Sequence, residues 1–240
     1  MISLIIPTLN EEALLGRTLG HLSTLTAFPR EVIVSDGGSS DRTVQIAQRW
    51  ADKVVTYRGE ARQTIAAGRN LGAACAVHRY LVFQDADVLI ADPNTFFTKA
   101  VAVFEGETEV AAITVAIRVS REVETLADRV MSASINSTHL FFNNLLRRGS
   151  ASGEFQMVRR SSFEKAGGYD EALVVAEDND LFARLARQER TRMVRSLEVR
   201  HPGRRAHAMG WLRLLGCWHV NRLSVAFFGR ALSKEWTPIR

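Results

Sequence analysis

Asp85 and Asp87, separated by one alanine, close the apolar run Val82-Phe83-Gln84. Side chains alternate faces along an extended chain, so both carboxylates would project the same way from a strand's end. Two like charges there repel, and a hard divalent cation seated between them relieves the repulsion. The simplest use of such a seat is to hold a metal against the phosphates of a nucleotide. An Asp-rich turn after a strand fits the same two residues, because aspartate readily bonds its own backbone in turns.

Other polar clusters could share that chemistry. Thr8-Leu9-Asn10-Glu11 follows the apolar run Ile2 to Ile6, and Asp36-Gly37-Gly38-Ser39-Ser40-Asp41 follows Glu31 to Ser35. Glu177 and Asp178 open a helical pattern, where acidic residues also suit the helix dipole. His201 stands beside Pro202, with Arg204 and Arg205 after it.

The elements that must position these groups alternate between two periods. Short apolar strands are expected at Ile2 to Ile6, Glu31 to Ser35, Lys53 to Tyr57 and Arg79 to Gln84. Helices are expected between them at Glu11 to Leu25, from a cap at Ser40 or Asp41 through Trp50, and at Ala61 to Val77. This rhythm predicts an α/β fold with a mostly parallel sheet flanked by helices. Ligands of such sheets bind at the carboxyl ends of the strands, where three of the polar clusters lie. Farther on, Glu109 to Val119 reads as a strand and Glu122 to Arg148 as a helix. Gly153 to Val158 is a further strand, Ser161 to Ala166 a short helix, Ala176 to Leu185 a helix with an acidic start, and Trp211 to Leu232 a final helix.

The 240 residues are 46% hydrophobic and 24% charged, the composition of a folded protein without low-complexity tracts. Cys75 and Cys217 form no metal or disulfide pattern, which suits a reducing compartment. No signal peptide and no membrane-spanning stretch are legible, so a cytoplasmic location is expected, with membrane contact at the inner face left open. The chain carries +5 overall, whereas 184–240 alone carries +10. A basic tail suits anionic lipid, phosphorylated substrates or nucleic acid, and a solvated arginine-rich surface is the plain alternative.

Five segments in register resemble the family 2 glycosyltransferases of the GT-A fold. They are Ile5-Ile6-Pro7-Thr8-Leu9-Asn10-Glu11-Glu12, Val32-Ile33-Val34 leading into Asp36 to Asp41, Arg69-Asn70-Leu71-Gly72-Ala73, Asp85-Ala86-Asp87 and Glu177-Asp178. The likeness runs from Ile2 to Leu185. It implies a GT-A domain over 1–205, with a nucleotide-sugar half (1–120) and an acceptor half (121–205), and a basic amphipathic helix over 206–240. Pro7, Thr8, Asn10, Glu11, Asp36 and Ser39 would bind the base and ribose of a nucleotide-sugar. Arg69 would reach the diphosphate, with Arg62 a weaker second and Arg204 a further clamp. Asp87 would be the main ligand of Mg2+ or Mn2+, with Asp85 nearer the ribose or completing the metal's water shell, and His201 a further ligand. Asp178 would be the general base of an inverting transfer, Glu177 sharing or fixing the acceptor, and Gly153-Glu154-Phe155 would line the acceptor side. The sugar would pass to a hydroxyl, lipid-linked or on an envelope glycan, from a UDP-sugar or a GDP-sugar.

Rival readings make weaker use of these residues. A nucleotidyltransferase would open with a Gly-rich basic loop after the first strand, and a dinucleotide dehydrogenase with G-x-G-x-x-G. Neither occurs. A polyanion or membrane binder with a vestigial nucleotide site would rest on the basic tail alone, and nucleic acid is disfavoured as a partner. The final helix could meet lipid, the catalytic domain or a second copy in a homodimer.

Overall fold

The computed structural model describes residues 1–228. The expectation for 229–232, the end of the last helix, lies outside the described residues. Strand β1 (Ile2–Thr8) is apolar on both faces because it sits centrally, between β2 (Arg30–Asp36) and β4 (Tyr80–Gln84), parallel to both. β3 (Lys53–Thr56) pairs with β2, also in parallel. The sheet has seven strands in the order β3-β2-β1-β4-β6-β5-β7, where β5 is Val110–Val119, β6 is Phe155–Arg159 and β7 is Arg190–His201. Only β6 runs against its neighbours, and β5 pairs with β7 in parallel.

Alternation along β1 divides the core. Ile2, Leu4 and Ile6 face one layer with Leu15, Leu19 and Leu22 of α1 (Leu15–Leu22), and Ala47 of α2 (Thr43–Trp50) joins them. Ile5 faces the other, with Ala66 and Ala73 of α3 (Ile65–Ala74). α3 lies so close to β1 that a Cβ on Gly72 would stand 2.5 Å from Ile5 Cγ2, which only glycine avoids.

Several helices are shorter than their apolar periodicity predicts, and each boundary has a polar cause. The helix expected from Glu11 starts at Leu15, after a turn in which Glu11 O accepts from the Leu14 and Leu15 N–H groups and the Glu11 N–H is satisfied from outside by Thr43 Oγ1 at 2.7 Å. The one expected from Ala61 starts at Ile65, where Thr64 accepts from the Ala67 N–H. α4 (Pro93–Gly106) was not anticipated, although Asp92 caps it, Pro93 opens it and Phe96, Phe97, Ala100, Val101 and Phe104 form its buried stripe. The helix expected over Glu122 to Arg148 divides: α5 (Leu126–Leu140) begins at a capping box of Thr125 and Asp128 and passes into a π-helical turn at Phe141–Leu145.

After β6 come α6 (Arg160–Lys165) and α7 (Glu177–Leu185). After β7 come α8 (Arg204–Met209) and α9 (Trp211–Phe228). The expected amphipathic character of the C-terminal helix is not found, since the apolar residues of α9 are distributed around its circumference. Asp128, fully buried, ties these last helices to α5 by accepting from His207 Nε2 (2.9 Å) and Trp211 Nε1 (2.7 Å). No helix of the described residues is long and apolar enough to cross a membrane.

The register fixes which loops meet. Thr8 pairs with Asp36 and Gln84 with Phe155, so the loops after β1, β2 and β4 and the segment before β6 emerge at one edge. Every candidate segment from the first half of the chain converges there.

Candidate functional site

The loops after β1 and β2 are laced into one another. Asp36 accepts from Gly38 N–H (3.0 Å), Ser39 N–H (2.9 Å), Ser39 Oγ (2.5 Å) and Thr8 Oγ1 (3.2 Å), each carboxylate oxygen taking two donors. Asn10, held at φ +54°, donates its N–H to Ser39 Oγ and accepts from Ser40 N–H, both at 2.8 Å. Pro7, Thr8, Asn10, Glu11 and Ser39 are therefore brought together as expected. Asp36 differs: it is fully buried and its oxygens are occupied by its own loop. It builds the loop's backbone shape and does not face a base or ribose directly.

β4 ends at Gln84, and Asp85 and Asp87 sit in the turn that follows, with Val88 N–H donating to Asp85 O at 3.2 Å. Each carboxylate has its own guanidinium. Arg69 Nη2 meets Asp85 Oδ1 at 3.1 Å. Arg204 meets Asp87 Oδ2 through Nε (3.1 Å) and Nη2 (2.7 Å), and the same Nη2 meets Glu11 Oε2 at 3.1 Å. The repulsion that a cation was expected to relieve is thus relieved by two arginines from distant parts of the chain.

Arg69 was expected to reach a diphosphate, yet its side chain is only 1% exposed. It spans the interior between Asp85 and Glu177, whose Oε1 it meets through Nη1 at 2.7 Å, and it also donates to Gly153 O at 2.9 Å. The ring of Tyr169 lies 5.4 Å from its Cζ, a cation–π arrangement. A Cβ on Gly153 would stand 2.9 Å from Arg69 Nη2, so the absence of a side chain there makes room for the fork. Arg69 is thus a buried bridge whose fork is taken up by protein oxygens, while Arg204, 23% exposed, reaches the edge.

Glu177 and Asp178 open α7 behind that bridge. Burial and the charge of Glu177 push the Asp178 carboxyl up to about 8, against the pull of Arg69 and the Asn179 N–H. Burial likewise drives Asp85 up to about 7, against the attraction of Arg69. Asp180 turns away and pairs with Arg184 at 2.7 Å, a structural pair.

His201 ends β7, and its Nδ1 accepts from Gly203 N–H at 3.3 Å. Among the described residues no three His, Cys, Asp or Glu side chains converge as a ready metal site, so Asp85, Asp87 and His201 are not a preassembled ligand set. Asp87 alone still fits a hard cation, because Mg2+ and Mn2+ bind through one or two carboxylates and complete their shells with phosphate and water oxygens. Arg204 would have to leave Asp87 for that.

The sequence reading did not find Arg69's interior role, the Asn179-Ser150-His139 line behind Asp178, or Tyr169 beneath the guanidinium. The Arg69-Asn70 segment carried a hint, since Asn70 brackets the same loop by donating to Tyr169 O at 2.9 Å.

Comparison with known proteins gives these groups a context. The model of "Glycosyl transferase family 2" matches residues 3–167. A validoxylamine A glucosyltransferase of Streptomyces hygroscopicus subsp. limoneus is 38% identical over 94 residues, 37% of this chain and 21% of that protein. An O-antigen chain rhamnosyltransferase of Salmonella typhimurium is 25% identical over 192 residues, 77% of this chain and 60% of its own. Among solved structures, a mannosyltransferase from Pyrobaculum calidifontis in complex with GDP-Man and Mn2+ superposes with a TM-score of 0.65 at 21% identity, covering 84% of this chain and 56% of that one. Glucosyl-3-phosphoglycerate synthase from Mycobacterium tuberculosis, in complex with Mn2+, UDP and glucosyl-3-phosphoglycerate, gives 0.62 at 22% identity, covering 97% and 81%. At these identities the structural likeness is one of fold, the GT-A arrangement of a mostly parallel sheet between helices. The chain spans less than two thirds of the length of the curated relatives it matches.

Proposed function

The chain belongs to glycosyl transferase family 2, and on that premise we propose that it transfers one sugar from a nucleotide-sugar to an acceptor hydroxyl with inversion at the anomeric carbon. The observation that carries this reading is the single guanidinium of Arg69 joining Asp85, in the turn after β4, to Glu177, beside Asp178. That bridge links the turn where a nucleoside diphosphate would sit to the neighbour of the carboxylate that would act on the acceptor.

Each group then has a task set by its surroundings. Asp178 takes the proton of the acceptor hydroxyl as that oxygen attacks the anomeric carbon. The electron pair of the breaking sugar–phosphate bond leaves with the nucleoside diphosphate on the opposite face. A carboxyl pushed up to about 8 is well matched to this work near neutral pH, since proton transfer is most effective when the base's pKa lies near the working pH. Glu177, pinned by Arg69, supplies much of the charge that raises it. Arg204 offers a planar fork to the diphosphate once it lets go of Glu11 and Asp87. Asp87 would hold Mg2+ or Mn2+, with Asp85 nearby. When bound, the cation neutralises negative charge on the departing diphosphate. The loops carrying Pro7, Thr8, Asn10, Glu11 and Ser39 would enclose the nucleoside, with Asp36 as their internal tie. His201 remains a proposed additional ligand, at the end of the strand that leads to Arg204.

The nucleotide ligands of the fold's solved neighbours, GDP-Man with Mn2+ and UDP with Mn2+, support screening both nucleotide classes. The test is calorimetric titration of UDP and GDP with and without Mn2+, followed by turnover of UDP- and GDP-sugars by the wild type and Asp178→Asn. Metal-dependent nucleotide binding with turnover lost in the variant is the expected outcome. Full turnover in Asp178→Asn would dismiss the base assignment, and no binding of either nucleotide would dismiss the donor site.

A further inference from the structure

A line of hydrogen bonds runs back from Asp178 into the protein, through residues to which the transfer reaction gives no task. Asp178 Oδ1 accepts from Asn179 twice, from its N–H at 2.7 Å and from its side-chain Nδ2 at 3.1 Å. The other end of that amide, Asn179 Oδ1, accepts the Ser150 hydroxyl at 2.9 Å. Ser150 is fully buried, and its Oγ lies 3.0 Å from Nδ1 of the buried His139.

The directions of these bonds follow from the hydrogens available. With Nδ2 turned to a carboxylate, the Asn179 side chain presents only its oxygen to Ser150. The single hydroxyl hydrogen of Ser150 is therefore committed to Asn179. His139 Nδ1 must then be the donor to Ser150 Oγ, which fixes the ring as the Nδ1–H tautomer or the doubly protonated form. Every donor in the line points toward Asp178. Such a sequence polarises cooperatively toward a negative end.

The line is also anchored. Asn143 sits in the π-helical turn after α5 and is fully buried. Its Nδ2 donates to Ser150 O (2.6 Å) and His139 O (2.8 Å), and its Oδ1 accepts from Ser150 N–H (3.2 Å). The extra residue of a π-turn is an irregularity that helices commonly retain where function needs it. Here it lets Asn143 clamp both His139 and Ser150 by their main chains.

We infer that His139, Ser150 and Asn179 are positioning residues for Asp178, holding Oδ1 in a fixed donor set so that Oδ2 is presented to the acceptor hydroxyl. This inference rests on the reading of Asp178 as the base. The charged and titratable groups around Asp178 are Glu177 on its own helix, Arg69 from α3, Glu154 ahead of β6 and Tyr169 from the loop after α6. None of them touches Ser150 in a hydrogen bond or ion pair. Changing Ser150 therefore leaves those charges in place and alters only the line.

The test reads Asp178 in the free protein, with no substrate required. Carboxyl carbon NMR of aspartate-labelled protein follows the titration, and the Asp178 signal is assigned by its loss in Asp178→Asn. Ser150→Ala strips the donor from Asn179 Oδ1 and frees the amide to rotate. The Asp178 midpoint should then rise by about half a pH unit or more, as expected when a donor to the charged form is lost. Ser150→Thr restores a hydroxyl and should return the midpoint to that of the wild type. Asn179→Ala, which removes the amide itself, should raise it at least as far, and it carries the same test should Ser150→Ala fail to fold. An unchanged midpoint in the folded alanine variants overturns the positioning line. Failure of the base reading is separate, since it shows as undiminished turnover in Asp178→Asn.

Discussion

Arg69 and Glu177 stand 108 positions apart in sequence and meet at 2.7 Å, with 1% and 9% of their side chains exposed. A guanidinium so deeply placed persists because both of its terminal nitrogens meet carboxylates or a carbonyl, although its buried Nε–H has no hydrogen-bond partner among the described residues. Arg69 has Glu177 on one terminal nitrogen and Asp85 and Gly153 O on the other, so the turn after β4 and the start of α7 share one cation.

Replacing Arg69 should therefore damage stability before it damages chemistry. Arg69→Met leaves the buried Glu177 and the one-third exposed Asp85 without their partner, a change expected to cost about 3 kcal/mol, the low end for a broken buried pair because water reaches Asp85. Arg69→Lys keeps a charge but reaches only one carboxylate, and its loss should be smaller. Chemical denaturation at pH 7.5 measures both. A melting point for Arg69→Met within about 2 °C of the wild type would show that the bridge is not structural.

Asp178→Asn should do the opposite to stability. The folded-state carboxyl is raised to about 8, whereas an unfolded aspartate ionises near 4. Below about pH 4 both states hold the proton, and the residue contributes nothing. Between 4 and 8 the unfolded chain ionises while the folded one resists, so the folded state is progressively disfavoured, and the penalty levels off above 8. Asparagine removes that penalty. The variant should melt higher than the wild type at pH 8, by on the order of 1 kcal/mol after allowance for water at the site, and match it near pH 4. Turnover should fall about 10²-fold or more with nucleotide affinity kept. A variant that is less stable at pH 8 would contradict the raised carboxyl.

The same comparison shows what could be read from the chain. The first six strands and the edge where the loops meet follow from apolar periodicity and from the rule that ligands sit at carboxyl ends of parallel strands, whereas β7, rich in arginine, and the order of the sheet do not. The groups also converge as their motifs suggest. What periodicity cannot reveal is how each charge is balanced. Asp36 reads as a free ligand in sequence, but three donors of its own loop and the Thr8 hydroxyl at the end of β1 occupy its two oxygens. Arg69 reads as a diphosphate ligand in sequence, and it is buried by partners distant in the chain, Asp85, Gly153, Tyr169 and Glu177, that no local pattern brings to it. The signals of α4 lie in its Asp-Pro start and phenylalanine spacing.

Asp128 supplies a test of how the C-terminal helices are held. It accepts from Thr125 N–H (2.8 Å), Thr125 Oγ1 (2.7 Å), His207 Nε2 and Trp211 Nε1, and these donors together hold its carboxyl well below the usual range despite burial. A depressed folded-state value stabilises above the unfolded value near 4 and is lost as pH falls from there through the folded one. Asp128→Asn should lower stability by about 1–3 kcal/mol at pH 7, because an amide cannot accept from all four donors. The difference from the wild type should shrink below pH 4. Hydrogen exchange should quicken across 204–218 before the rest of the sheet. Uniform exchange in the variant would mean that α8 and α9 are held by packing alone.

Arg204 distinguishes a cation seat from a permanent ion pair. Its guanidinium lies between Asp87 and Glu11, whose side chains are only 16% and 10% exposed, so two carboxylates are kept compatible by one fork. Arg204→Ala withdraws that charge and leaves two carboxylates that a divalent ion can neutralise. Mn2+ alone, titrated by electron paramagnetic resonance without nucleotide, should bind the variant about tenfold more tightly than the wild type. The same substitution removes a fork that suits a diphosphate, so KM for the nucleotide-sugar should rise even as the metal binds better. This opposition is the diagnostic result. Tighter metal with an unchanged KM would assign Arg204 to shielding Asp87 and nothing more. Unchanged metal affinity would mean that the cation's ligands lie outside the Glu11–Asp87 pair, and the search for them would move to Asp85 and His201.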